Sequence, residues 1–317
     1  MKKLLIAIGL VWLGTLTAAA QDYPNKPIRL VVGFLPGADA DLSARAMAEA
    51  LAARLGQPVL VENKPGAIAT DLVYKAAPDG YTLLWAEGSA ITILPNVKAS
   101  LPFRSENFTY LGPIVHTGLS YVVSTKLPVK TMAELFAYAK ENPGKLRYGT
   151  AGVGSAIHLA TLLLEQTGGV KMVHVPYQGV AQSVTDLLAG HIDFAMITPA
   201  TIGPHRESDK VRIIGISAPS RHPSLPNAPT ATELGYPKAT VVAWYGLMGP
   251  PGLAPAVTER LLRELSVIVK DPALKEKIEK INLQLTPSLG AEFEKATRDE
   301  RAQWKSIVEA EKIVIAD

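Results

Sequence analysis

The chain reads as an α/β protein built on parallel-rich sheets, and three observations predict this. Strand-like apolar runs alternate with helix-like runs almost throughout. The first such run, Ile28 to Phe34, is nearly continuous in apolar residues, which marks a strand covered on both faces. Two further segments, Leu119 to Ser124 and Val241 to Met248, are β-prone, and proline punctuation follows each, at Pro128 and at Pro250-Pro251. If these two segments pair, the chain leaves one lobe, builds a second and returns. The lobes are then expected at residues 21–117 with 244–317, and at 118–243.

The elements follow in order. Lys2 and Lys3 form a basic n-region, Leu4 to Leu16 an apolar core, and Ala18-Ala19-Ala20 a small-residue cleavage site before Gln21. Residues 1–20 are therefore expected to be an export signal. Pro36 and Gly37 end the first strand, and Asp39 or Asp41 is placed to cap the helix that carries Leu42, Met47, Leu51 and Leu55. Val59 to Glu62 is a short strand, and Tyr81 to Trp85 another after the Pro78-Asp79-Gly80 turn. Leu146 to Gly149, Met172 to Val175, Ile192 to Ile197 and Val211 to Ser217 continue the series. Helical segments are expected at Ala156 to Gln166, Ala181 to Ala189, Pro255 to Lys270 and Ala291 to Ala310. The last of these carries Phe293, Trp304 and Ile307 on an apolar stripe.

Composition narrows the function. The 317 residues contain no cysteine, which excludes disulfides, thiol catalysis, thiolate metal sites and a lipidated cysteine anchor. Lys and Arg number 32 against 29 Asp and Glu, and two of the lysines lie in the signal, so the mature chain is close to neutral. That balance argues against a nucleic-acid partner. No later apolar stretch reaches the roughly 18 residues of a membrane span. The charge-rich stretch from Glu259 to Lys280 alternates in sign, as a solvated helix face does.

Two loops stand out, each joining a strand to a helix start, where free backbone N–H groups and the positive dipole end suit an anion. The first spans Phe34 to Asp41. The second runs from Gly149 through Thr150, Ala151, Gly152, Gly154 and Ser155 to His158. Read as a dinucleotide fingerprint the second fails, because Ile157 stands where the third glycine belongs and no acid ends a strand about 20 residues on. It is either a tight βα turn or a ligand contact. No G-x-S-x-G frame surrounds Ser155, which reads as a helix cap rather than a nucleophile. The six histidines lack metal-ligand spacing, and His174 reads as a packed strand residue. Phe34, Trp85, Tyr177, Trp244 and Tyr245 either line a cleft or fill core, and core is the default for each. Asp186 and Asp193 read as surface residues.

In sequence order, YPNKPIRLVVGFLPG from Tyr23, GQPVLVENKPGA from Gly56, KAAPDGYTLL from Lys75, ENPGKLRYGTAG from Glu141, VHVPYQG from Val173, TDLLAGHID from Thr185 and WYGLMGPPG from Trp244 resemble the solute receptors of tripartite tricarboxylate transporters, the Bug family. The resemblance covers nearly the whole mature chain. It implies a two-lobed periplasmic binding protein of the type II-like, Venus flytrap kind. Such a protein closes over an organic carboxylate, aliphatic or aromatic, and hands it to the transporter's membrane subunits. It also implies no catalysis, no cofactor and no metal, and a monomer.

Carried over by motif, the expected ligand contacts are Phe34, Leu35, Pro36, Gly37, Ala38, Asp39, Ala40 and Asp41 in the first loop. In the second they are Thr150, Ala151, Gly152, Gly154, Ser155 and His158, with Ser89 and Thr198 elsewhere in the cleft. The chain departs from the family pattern in three places. Ala38, Asp39 and Ala40 replace further glycine and a threonine, and an Asp39 carboxylate facing the cleft would repel a bound anion. The Gly-Gly-Asn that commonly follows Pro-Gly-Ala is missing between Ala67 and Ile68. Ile197 and Thr198 stand where many relatives carry an acid, which argues against a ligand ammonium. Two rival readings stay open from the sequence: an exported α/β hydrolase or transferase acting on a small acid, and a ligand-delivering partner of a receptor kinase.

Overall fold

A computed structural model describes residues 23–64, 67–98 and 100–313, so the expected export signal lies outside the described residues. The first part of the chain builds β1 (Ile28–Val32), α1 (Asp39–Leu55), β2 (Val59–Asn63), α2 (Ala67–Tyr74) and β3 (Thr82–Glu87). A π-turn, Ser89–Ile93, runs into the short α3 (Leu94–Val97). The long β4 (Thr109–Ser124) leads to α4 (Met132–Glu141), β5 (Arg147–Thr150), α5 (Ala156–Gly168), β6 (Val173–Pro176) and α6 (Val180–Ala189). There follow β7 (Phe194–Ile197), α7 (Pro199–Ile202), β8 (Val211–Ser217) and β9 (Val242–Gly249). The chain ends with α8 (Pro255–Ile268), α9 (Pro272–Lys280), β10 (Gln284–Thr286) and α10 (Ala291–Ala310).

The strands run in the order β2-β1-β3-β9-β4-β7-β5-β6, with β8 and β10 also pairing to β4. β1 lies parallel to both β2 and β3, and β5 lies parallel to both β6 and β7. These are the two βα-built halves that the alternating pattern predicts, and β4 joins them. Its first stretch pairs antiparallel with β9 from Ile114↔Gly246 to Gly118↔Val242, and its last stretch pairs with β7 and β8. The crossover thus forms as expected, but its register differs. The residues preceding Leu119 meet β9, while Leu119 to Ser124 already belong to the second half.

Burial explains the elements. Ile28, Leu30, Val31 and Val32 of β1 are all inaccessible: α1 covers Ile28, Leu30 and Val32 through Ala40, Ala44, Met47 and Leu51, and Val31 packs with Ala69 and Val73 of α2. The helix ends at Gly56 in the left-handed conformation, whose N–H is donated to the carbonyl of Ala52. The second half has its own core, in which Leu135 and Phe136 of α4, Leu159 and Leu163 of α5, and Phe194 of β7 pack together. The tail helix α10 touches both halves. Phe293 packs edge-on to Tyr110 and Trp244, whereas Trp304, Ile307 and Val308 enter the second core. A single helix therefore clasps the two lobes on the side of the crossover strands.

Candidate functional site

Two adjoining cavities of about 280 and 400 Å³ lie between the lobes, and Phe34, Glu87, Ser89, Ile93, Ser155 and Ala156 line both. They form one cleft. Its first-lobe wall is built where β1 and β3 end. β1 stops at Val32, short of the expected Phe34, so Gly33 and Phe34 leave the ladder and turn into the cleft. Phe34 packs edge-on against Tyr245 of β9, with ring centroids 6.1 Å apart. β3 delivers Trp85 and Glu87, and the π-turn presents Ser89 and Ala90. Such turns insert an extra residue into a helix and re-aim its side chains, which suits a binding wall. Gly88 is required here, because a Cβ would fall 2.6 Å from the Trp244 indole nitrogen.

The second-lobe wall comes from the loop after β5 and the start of α5. Ser155 caps that helix, its hydroxyl oxygen accepting the His158 N–H and its own proton going to the Gly152 carbonyl at 2.8 Å. The N–H groups of Ala156 and Ile157 therefore open the helix without an intrahelical acceptor, and both residues line the cleft. Other amides of this loop are already engaged. The Gly152 N–H goes to the Thr150 hydroxyl at 3.1 Å and the Gly154 N–H to His158 Nδ1 at 3.1 Å. Behind the loop, Thr150 Oγ1 lies 2.7 Å from His174 Nε2, and the rings of Tyr148, His174 and His158 stack. Burial pushes His158 down to about 4, with His174 adding to the effect, and burial also lowers His174.

Of the residues expected in the site, the cleft is lined by Phe34, Ser89, Ala151, Gly154, Ser155 and Thr198. Thr198 caps α7, accepting the Thr201 N–H. Thr150, Gly152 and His158 stand one layer back and shape the loop. Leu35, Pro36 and Gly37 point outward, with Leu35 77% exposed, and Ala38 does not reach the cavity walls. Ala40 is buried in the first-lobe core.

Neither aspartate caps α1, whose N-cap is Ala38 without a side-chain bond. Asp41, 2% exposed, accepts from the Gly37 N–H at 2.9 Å, from Arg45 Nε at 2.9 Å and from Asn63 Nδ2 at 3.0 Å. It is a brace. Burial pushes Asp41 up, but those donors together hold it below the usual carboxylate range. Asp39 is raised by burial and, together with Glu87, pushes up the Tyr245 hydroxyl, which burial raises most.

Sequence reasoning missed two acids. Glu87 accepts the Ser89 hydroxyl at 2.6 Å and the Ala90 N–H at 3.2 Å. Glu300, on α10, accepts the indole N–H of Trp244 at 2.7 Å and of Trp304 at 3.1 Å. Both acids line the 400 Å³ cavity, as do Trp244 and Tyr245, so these aromatics serve core and cleft together. Burial raises both acids, Glu300 to about 7 despite its two indole donors. Glu300 falls on the apolar stripe of α10, seven residues after Phe293 and four before Trp304, and an acid in that register was the signal that sequence reasoning passed over. Tyr177, by contrast, donates to Asp186 at 2.6 Å, and Asp193 pairs with Arg147 at 3.2 Å, away from the cleft.

The profile described as "Tripartite tricarboxylate transporter family receptor" matches residues 43–313. Protein BugT of Bordetella pertussis is 32% identical over 285 residues, covering 87% of each chain. A Rhodopseudomonas palustris protein solved with adipate superposes with a TM-score of 0.76 at 26% identity, covering 92% of this chain and 99% of that one. MatC of the same organism, solved with bound malate, gives 0.70 at 25% identity, covering 90% and 100%.

Proposed function

Because the chain belongs to the tripartite tricarboxylate transporter family of receptors, we propose that it captures a small organic carboxylate between its lobes and delivers it to the membrane subunits of such a transporter. The observation that carries the reading is the cleft itself. The unengaged N–H groups of Ala156 and Ile157 at a helix start face a small cavity closed on the other side by Phe34 and Ser89. Adipate and malate, named for two structural neighbours, support a small organic carboxylate as the class of ligand. In this reading the lobes comprise residues 21–117 with 244–317 and residues 118–243. The protein acts in the periplasm, exported by its N-terminal signal, and works as a monomer.

The mechanism is a population shift. A ligand held by both walls binds the closed form more tightly than the open one, and the membrane partner reads the closed form. Catalysis plays no part in it. The Ser155 hydroxyl is committed to Gly152 and His158 Nδ1 accepts the Gly154 N–H, so no base is directed at that serine. A thermal-shift screen over aliphatic and aromatic acids, followed by calorimetry, tests the reading, since a ligand of the native state alone raises Tm. Turnover of a bound acid that disappears in Ser155→Ala would point to an enzyme instead.

A further inference from the structure

We propose that the ligand carries a cationic group, an ammonium, in addition to its carboxylate, and that Glu87 and Glu300 receive it in the deeper cavity. The inference rests on the carboxylate reading above and refines it to an amino-carboxylate. Three observations carry it.

The first is the hydrogen-bond pattern. Each oxygen of Glu300 accepts an indole N–H, from Trp244 on Oε2 and from Trp304 on Oε1. An indole N–H can only donate, so both oxygens act as acceptors, and neither partner brings a positive charge. Glu87 accepts likewise from the Ser89 hydroxyl and the Ala90 N–H.

The second is charge. The other buried acids have ion-pair partners: Asp41 with Arg45, Glu264 with Arg54 and Arg260, and Glu165 with Lys171. Among the described residues neither Glu87 nor Glu300 has a lysine, arginine or histidine within ion-pair distance. The cleft thus holds acids in poorly solvated surroundings with no countercharge from the protein. A ligand cation supplies it and offsets the burial that raises Glu300, along with the smaller repulsion from Glu87.

The third is the wall. Phe34, Trp244, Tyr245 and Trp304 line the same cavity. Aromatic faces attract ammonium groups, more strongly where water is excluded. A second ligand carboxylate in that place would meet two acids and would need a proton shared with one of them. The sequence-level argument against an ammonium, the missing acid after β7, fails because the acids arrive from β3 and α10 instead.

Calorimetry at neutral pH on the full mature protein tests the inference with ligands matched in length. The probes are α- and ω-amino acids, the corresponding dicarboxylates, and the corresponding monocarboxylates without nitrogen. The expected result is an amino-carboxylate that binds at least about tenfold tighter than both of its counterparts. Glu87→Gln and Glu300→Gln should each reduce the ratio of amino-carboxylate to nitrogen-free monocarboxylate affinity by about tenfold or more. Preferential binding of a dicarboxylate or monocarboxylate by the native protein overturns the inference and leaves the carboxylate reading standing. That comparison needs no variant, so it holds even if a glutamine variant misfolds. Silence from every acid in all three series overturns both.

Discussion

The loop after β1 is held by an ionised carboxylate, whereas the loop after β5 is held by neutral imidazoles and hydroxyls. In the first, Asp41 gathers Gly37, Arg45 and Asn63, and Asn63 also donates to the Phe34 carbonyl at 2.9 Å. In the second, Thr150, His174 and His158 tie down Gly152 and Gly154 without any formal charge. The difference bears on how an anion can be bound. Arg45 neutralises the brace in the first loop, so its negative charge is contained. The second loop leaves the positive end of α5 unopposed, with the Ala156 and Ile157 N–H groups free. On the proposed reading, the first loop would shape the cleft and the second would hold the anion.

The sharpest break in that comparison is Gly152→Asp. Gly152 has φ of +109°, where a side chain is strained, and a Cβ there would fall 3.4 Å from the Tyr177 carbonyl, so the substitution would distort the loop that leads into α5 and bring a negative charge to it. Affinity for any carboxylate ligand should fall by roughly 100-fold or more in calorimetry. Unchanged affinity would remove the second loop from the site.

Asp41→Ala attacks the other loop. It removes the buried carboxylate that gathers the Gly37 amide, Arg45 and Asn63, so it should cost about 2 kcal/mol in urea unfolding and weaken binding about tenfold by loosening Phe34. If stability drops and affinity does not, the first loop has no part in shaping the cleft.

The third prediction uses the neutral imidazoles. His158 is depressed in the folded state, so the unfolded chain takes up a proton first as the pH falls below about 6.5. The stability held by the neutral ring is therefore full above that pH and is lost as pH falls toward 4. The buried acids run the opposite way. Glu300 is raised to about 7, so its folded state takes up a proton first and its destabilisation grows as pH rises through the range above 4.5. Comparing wild type with His158→Asn isolates the histidine. The wild type should lose about 2–3 kcal/mol relative to the variant between pH 7 and pH 4, read from Tm. A constant gap across that range would show that the ring does not titrate with folding.

The mildest test is Leu35→Ser at the exposed tip of the first loop. Stability should stay within about 0.5 kcal/mol and affinity within about twofold, because Leu35 does not reach the cavity. A large loss of affinity would mean that the tip closes over the ligand.

Much of the fold was legible from local pattern. β8 and α10 occur at their expected bounds, because an uninterrupted apolar run and an amphipathic stripe are strong signals. The helix α4 was overlooked although Thr131 accepts the Glu134 N–H and Glu134 accepts the Lys130 N–H, a capping arrangement readable from the spacing. The site was half legible. Ser155 and Thr198 sit where a capping residue opens a helix beside the cleft, whereas Asp39 and Asp41 misled, since a carboxylate in a first helical turn need not be the cap.

What the sequence by itself determined is the βα alternation, the two glycine- or proline-bearing loops and the family, because each rests on neighbours in the chain and on the period of apolar residues. Only the tertiary structure decided the chemistry of the cleft. Glu87 ends a strand and Glu300 lies on the tail helix, and they share one cavity because α10 packs across the crossover strands and sets Trp244 between the core and the ligand space. The missing countercharge is a property of that packing, and no local pattern in the chain records it.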